Sequence, residues 1–319
     1  MQDQALDAVL IAGPTASGKS AVALHVAETC NGVIINADAM QVYEEMRVLT
    51  ARPSAADEAR APHRLYGHVS AREAYSVARW LEDAAGALAE ARRMGRLPVI
   101  VGGTGLYFKA LLEGLSPIPP IPGSIRDHWR EEAARRGAPA LHELLRERDP
   151  QTAARLHPTD TQRLVRALEV LEATGRPLAE WQALPGAPLI SRERTVCLVL
   201  APGREDLYRR CDARFEAMIA GGGLEEAARM RALGLAPTLP AMRTIGLRAL
   251  MAALAGELPL EQARQQAQME TRRYVKRQLT WIRKNMISWK IVQTKQMERT
   301  KHEISLMIMS SLDQPIPAA

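Results

Sequence analysis

Ala8-Val9-Leu10-Ile11-Ala12-Gly13-Pro14-Thr15-Ala16-Ser17-Gly18-Lys19-Ser20 carries two signals in series. The first five residues are an uninterrupted apolar run of strand length. The last eight, Gly13 to Ser20, fit the pattern G-x-x-x-x-G-K-[ST], and a helical pattern from Ser20 to Cys30 follows directly. A strand, a glycine-bounded loop and a helix in this order make a phosphate cradle. The glycines let backbone N–H groups curl around phosphate oxygens, and the helix N-terminus adds its positive end. Lys19 supplies a point charge, and the Ser20 hydroxyl can sit on a Mg²⁺ that bridges the same phosphates. The stretch points to a bound di- or triphosphate and leaves the reaction open.

Outward from this loop, short apolar runs alternate with helical patterns through about residue 110, the mark of βαβ units and a parallel sheet. Gly32–Asn36 and Leu97–Val101 read as further strands and Trp80–Met94 as a helix, with loops and short helices over 50–75. A proline-rich break at 116–122 introduces a stretch, 123–184, with helical patterns only. Thr195–Leu200 is a strand again, as if the chain had returned to the sheet. The expected fold is α/β: a P-loop NTPase-like parallel sheet core flanked by helices, with an all-helical insertion domain and a helical C-terminal region. Its expected parts are a core of 1–115 and 191–290, an insertion of 116–190, and a tail of 291–319 with a short helix at Glu303–Met309.

The chain of 319 residues is 47% apolar and 24% charged, ordinary values for a globular protein. Its three cysteines, Cys30, Cys197 and Cys211, include no C-x-x-C pair, which argues against a disulfide framework or structural zinc and fits a reducing cytoplasm. The polar start, Met1 to Asp7, lacks the pattern of a secretory signal, and no apolar run approaches membrane-spanning length. A cytoplasmic protein without a membrane partner, and a monomer, is expected. The formal charge of +6 is unevenly spread: residues 271–319 hold ten Lys or Arg against three acids, so the basic excess lies in the last sixth of the chain. From Thr271 to Met297 there are eight basic residues and no acid. A solvated helix usually mixes signs to gain i,i+4 pairs, so this segment points to a polyanion, nucleic acid before membrane. Val275, Leu279, Ile282 and Met286 give the same segment an apolar stripe at helical spacing, while Trp281 suits either burial or base stacking.

Asp38, in Asn36-Ala37-Asp38-Ala39-Met40-Gln41-Val42-Tyr43, follows the second strand at the edge where open α/β sheets bind ligands. It is a candidate general base, and equally a helix N-cap or an outer-shell magnesium ligand. Gly102-Gly103-Thr104-Gly105-Leu106-Tyr107 brings a hydroxyl to the same edge. No N/T-K-x-D segment for guanine recognition is present, so a small-molecule kinase is the default use of such a loop, with a nucleotide-responsive RNA-binding switch as a non-enzymatic alternative.

The phosphate loop, the Asn36–Tyr43 segment, Thr50–Pro53, Ala61–Leu65, Val101–Tyr107, Arg163–Glu169 and Arg272–Arg283 together resemble the tRNA dimethylallyltransferases, in the family's order and over roughly residues 8 to 285. The resemblance implies transfer of a dimethylallyl group from dimethylallyl diphosphate to the exocyclic amine of adenosine 37, beside the anticodon, with Mg²⁺ as cofactor and the tRNA anticodon loop as partner. By position it makes Asp38, Arg214 and Thr104 catalytic. Asp38 would take a proton from the amine, Thr104 would contact the target nucleotide, and Arg214 would stabilise the departing diphosphate. On residues alone Arg214 reads equally as a surface arginine of a helix. Gly13, Pro14, Thr15, Ala16, Ser17, Gly18, Lys19 and Ser20 would hold the diphosphate, with Ser20 on the metal. Implied tRNA contacts are Asp38, Ala39, Met40, Gln41, Thr104, Arg126, Gln162, Arg163, Arg166, Arg243, Arg248, Lys276, Arg277, Gln278, Trp281 and Arg283. Two departures stand out: Ala39 where the family often has Ser, and Leu247 where it has Tyr. The nearest alternative is a prenyltransferase acting on free adenine nucleotides, which would not need the basic helix.

Overall fold

The computed structural model describes residues 6–294 and 297–312. Their elements, in chain order, are β1 (Ala8–Ala12), α1 (Lys19–Thr29), β2 (Gly32–Asn36), α2 (Ala55–Arg60), β3 (His63–Arg64), α3 (Val77–Arg93), β4 (Leu97–Gly102) and α4 (Gly105–Glu113). Then come α5 (Gly123–Arg148, kinked at Gly137), α6 (Pro150–Ala153), α7 (Thr161–Thr174), α8 (Leu178–Gln182), β5 (Thr195–Leu200) and α9 (Arg204–Met218). A π-helical turn at Ile219–Gly223 leads into α10 (Leu224–Ala232), followed by α11 (Leu247–Leu254), α12 (Leu260–Asn285), β6 (Lys290–Val292) and α13 (Met297–Leu312).

The six strands form one sheet in the order β3-β2-β4-β1-β5-β6, and each neighbouring pair runs parallel. β1 is central: Leu10 pairs with Ile100 of β4 and Cys197 of β5. All five of its residues are buried, because helices cover both faces of the sheet, and a strand covered on both faces needs apolar side chains throughout. Alternate residues serve opposite faces. Leu10, Ala12, Ile35 and Ile100 join the cluster under α3, α4 and α11, whereas Val9, Ile11, Ile34 and Val99 pack with Val22 and Val26 of α1. The chain leaves β1 for β2 and β3 on one side and later reaches β5 on the other. This reversal opens a crevice at the carboxyl ends of β1 and β4, the position where such sheets bind ligands.

The chain divides into two compact units, Met1–Leu112 with Leu189–Ala319, and Glu113–Pro188. The second unit is helical, α5 to α8 closing on Trp129, Leu141, Leu145, Leu164 and Leu168. In the first, the described residues of the tail expected over 291–319, namely 291–294 and 297–312, add to the sheet and cover it. β6 pairs with β5, and Ile304 and Ile308 of α13 are buried in the α1 cluster. The helix expected over Glu303–Met309 is longer, spanning Met297–Leu312, because its apolar positions have α1 to pack on.

Candidate active site

Three strand ends meet at the crevice. β1 runs into the phosphate loop, β2 into Ala37-Asp38, and β4 into Gly103-Thr104. The last two turns are tied together: Ala37 N donates to Val101 O at 2.8 Å, Thr104 N to Ala37 O at 3.1 Å, and Ala39 N to Thr104 Oγ1 at 2.9 Å. A Cβ on Gly102 would overlap the backbone carbonyl of Ala37, so only glycine lets the turns approach this closely. Asn36, fully buried, organises the Asp38 turn. Its Oδ1 accepts from Asp38 N at 2.8 Å, and its Nδ2 donates to the carbonyls of Asp38 and Leu65, both at 3.0 Å. Trp80, stacked on Tyr107, donates to Asn36 O at 2.9 Å from beneath. Asp38 Oδ1 then accepts from Met40 N at 3.0 Å, which orients the carboxylate and leaves Oδ2 without a bonded partner among the described residues.

The phosphate loop closes on itself through Ser17 N to Pro14 O at 3.2 Å, and Lys19 Nζ arches back to the same carbonyl at 3.3 Å. α1 begins at Lys19, so its first free amides face the loop. Burial pulls the Lys19 ammonium down to about 8; the Asp38 charge opposes that fall and the Arg214 charge adds to it. Arg214, on α9, is also lowered by burial and supported by Asp38, and its Nε is buried without a hydrogen-bond partner. The loop, Asp38 and Arg214, far apart in the chain, thus lie within electrostatic reach of one another. Two desolvated cations and an orphaned guanidinium N–H are what an anion would satisfy.

α12 lies against this edge. Buried Gln278 accepts from Thr15 N at 2.9 Å and donates through Nε2 to Gly103 O at 3.0 Å. Both ends of its amide are thus engaged inside the protein. One turn earlier on the same face, Tyr274 is raised by burial and by the Asp38 charge, with hydrogen bonding from Gln278 and Thr104 opposing the rise. Arg273, Lys276, Arg277, Arg283 and Lys284 are exposed, whereas Arg272 is held by Asp212 of α9 at 2.7 and 2.8 Å. Trp281 is half-buried and, with Phe108, Ile282, Met286 and Gly102 to Leu106, lines a cavity of about 210 Å³ beside Gln278.

The remaining expected contacts are spread over both units. Met40 and Ala39 line the Asp38 turn, and Gln41 is committed to the carbonyls of Thr50 and Ala51 at 3.0 and 2.9 Å. Arg243 and Arg248 are exposed, the latter donating to Pro237 O at 2.7 Å and Met242 O at 3.2 Å. In the helical unit Arg126, Gln162 and Arg163 are exposed and Arg166 is half-buried beside Glu169. Sequence reasoning missed Tyr274, Asn36 and Glu226. Glu226 is buried and accepts from the amides of Arg47, Val48 and Leu49 at 2.8 to 2.9 Å, pinning the loop after Asp38.

The fold and the crevice define an α/β protein of the P-loop class, in which a loop with two buried cations opens beside a carboxylate and a hydroxyl. The chain belongs to the IPP transferase family, whose profile matches residues 41–285; an isopentenyl transferase profile matches residues 6–73. A tRNA dimethylallyltransferase of Parvibaculum lavamentivorans is 54% identical over 297 residues, 93% of this chain and 94% of that one. One from Beijerinckia indica is 50% identical over 309 residues, 96% and 99% of the two chains. Among solved structures, a full-length tRNA isopentenylpyrophosphate transferase from Bacillus halodurans superposes with a TM-score of 0.68 at 31% identity, covering 96% of each chain. A eukaryotic dimethylallyltransferase acting on tRNA gives 0.79 at 25% identity, covering 97% of this chain and 81% of that one. Among the described residues no helix is long and apolar enough to cross a membrane, and no cluster of three or more His, Cys, Asp or Glu could hold a metal. The three thiols are free. With one exposed hydroxyl, Ser20, at the loop, the residues fit only a magnesium ion shared with a bound diphosphate.

Proposed function

We propose that this protein transfers the dimethylallyl group of dimethylallyl diphosphate to N6 of adenosine 37, next to the tRNA anticodon, as a cytoplasmic monomer. The observation that carries this reading is the packing of the cationic helix α12 directly onto the phosphate loop through Gln278, so that a polyanion surface and a diphosphate site share one crevice. In the reaction the donor's C1–O bond breaks and an N6–C1 bond forms. The N6 proton passes to Asp38, and the bonding pair leaves with the diphosphate. The amine is a weak nucleophile because its lone pair is delocalised into the purine, so a carboxylate that takes its proton as the bond forms lowers the barrier. Charge accumulating on the leaving oxygens is met by Lys19, the loop amides and Arg214. Ser20 would hold a Mg²⁺, which would supply further charge neutralisation. The target base must be turned out of its stack to reach Asp38 and Thr104, as in other base-modifying enzymes.

The reading is tested by incubating the protein with Mg²⁺, labelled dimethylallyl diphosphate and either tRNA or AMP. Label in tRNA is expected; label in AMP alone would replace it with the free-nucleotide activity. Two further outcomes are specific to the site. Since the free Lys19 ammonium titrates at about 8 and a bound anion favours its charged form, pyrophosphate affinity falls as pH rises past 8, with proton uptake on binding. Calorimetry in buffers of different ionisation enthalpy measures the uptake, and Lys19→Arg, charged throughout, abolishes it. Replacing exposed Lys276, Arg277 and Arg283 by Gln lowers the slope of log affinity for tRNA against log salt by about 2, at roughly 0.7–0.9 per phosphate contact. An unchanged slope in a filter-binding titration would remove this helix from the RNA interface.

A further inference from the structure

Gln278 bridges the phosphate loop and the Gly103–Thr104 turn. Its Oε1 accepts from Thr15 N at 2.9 Å and lies 3.3 Å from Thr15 Oγ1, while its Nε2 donates to Gly103 O at 3.0 Å. Those partners are 263 and 175 positions away in the chain. Thr15 belongs to the phosphate loop, and Gly103 precedes Thr104, whose Oγ1 in turn holds Ala39 beside Asp38. A Cβ on Gly103 would overlap Gln278 Nε2, so the loop is shaped to receive this amide. Val275 and Leu279 anchor the neighbouring turns of α12 in the cluster with Leu207 and Cys211 of α9, which fixes the helix that carries the strut.

We propose that Gln278 is a positioning residue, a strut whose two-ended amide sets the distance between the diphosphate loop and the Gly103–Thr104–Asp38 assembly and so aligns the donor carbon with the acceptor amine. The assignment rests on the transferase reading above. It places the effect in alignment and not in holding either substrate, since neither polar end of the amide is free to meet a ligand. A misplacement of about 1 Å between reacting groups costs on the order of 10²-fold in rate.

Two variants separate this role from a structural one. Gln278→Met keeps the volume and removes the hydrogen bonds to both loops. Gln278→Glu keeps the acceptor for Thr15 and, when ionised, replaces the donor to Gly103 O with a repulsive oxygen; when protonated it regains a donor. The expected result is a fall in kcat of about 10²-fold for Gln278→Met at saturating substrates, with pyrophosphate and tRNA affinities within about threefold of the wild type. The ratio of Gln278→Glu to wild-type kcat rises as pH is lowered from 8 to 6, while the Gln278→Met ratio stays flat. Variants that fold, as judged by near-ultraviolet circular dichroism, and retain wild-type kcat would overturn the assignment. So would a loss of pyrophosphate affinity large enough to account for the rate. A wild-type protein that binds pyrophosphate yet labels no tRNA would overturn the transferase reading, and the strut with it.

Discussion

Asp38→Asn is expected to lower kcat for transfer to tRNA by about 10² to 10⁴-fold, the usual contribution of a positioned general base, while pyrophosphate binding persists. Asparagine is the informative replacement because its Oδ1 can keep the 3.0 Å bond from Met40 N, leaving the turn and its tie to Thr104 in place. What is lost is the ability to take a proton and the negative charge that faces Lys19 and Arg214. That charge raises both cations, so its removal should shift the pH limb of pyrophosphate binding below 8 and tighten binding at pH 7. Rapid-quench measurement of a single turnover checks the first effect, and calorimetry the second. Near-normal turnover in the variant would strip Asp38 of its role as base.

Arg214→Ala should cost about 10² to 10³ in kcat, roughly 3–4 kcal/mol of transition-state stabilisation, without destabilising the fold. The free protein carries this guanidinium under strain of solvation. Burial lowers its affinity for the proton, Nε finds no partner, and Lys19 lies within reach of its charge. Removing it relieves repulsion in the empty site, so the melting temperature is expected to hold or rise while activity falls, the trade-off usual for groups that serve a ligand. Free guanidinium ion should restore part of the rate. A variant that melts many degrees lower but turns over normally would make Arg214 a structural residue of α9.

The parts of this molecule that were legible beforehand are those whose signal is local. β1, the phosphate loop and α1 were readable because a run of buried residues, a spaced pair of glycines and a helical pattern lie within a few residues of each other. The edge strands β3 and β6 were not, since two or three residues with half-exposed or exposed side chains leave no alternation to detect. Within α12, periodicity distinguished an apolar stripe from polar faces but could not say what each polar face meets. Lys276 turns to solvent, Arg277 lies over the Tyr274 ring, and Gln278, next in the chain, turns to the phosphate loop. Glu226 illustrates the same limit. Its partners are three backbone amides of residues 47–49, and a carboxylate that binds main chain has no complementary side chain to betray it.

The helical unit leaves and re-enters the core through neighbouring backbone, with Leu189 N bonded to Leu111 O at 2.9 Å, although 76 residues lie in Glu113–Pro188. Once two ends are clamped that close, doubling the length between them adds only about 0.6 kcal/mol of closure entropy. Evolution can therefore lengthen, trim or exchange this excursion at small thermodynamic expense while the sheet beside it stays as it is.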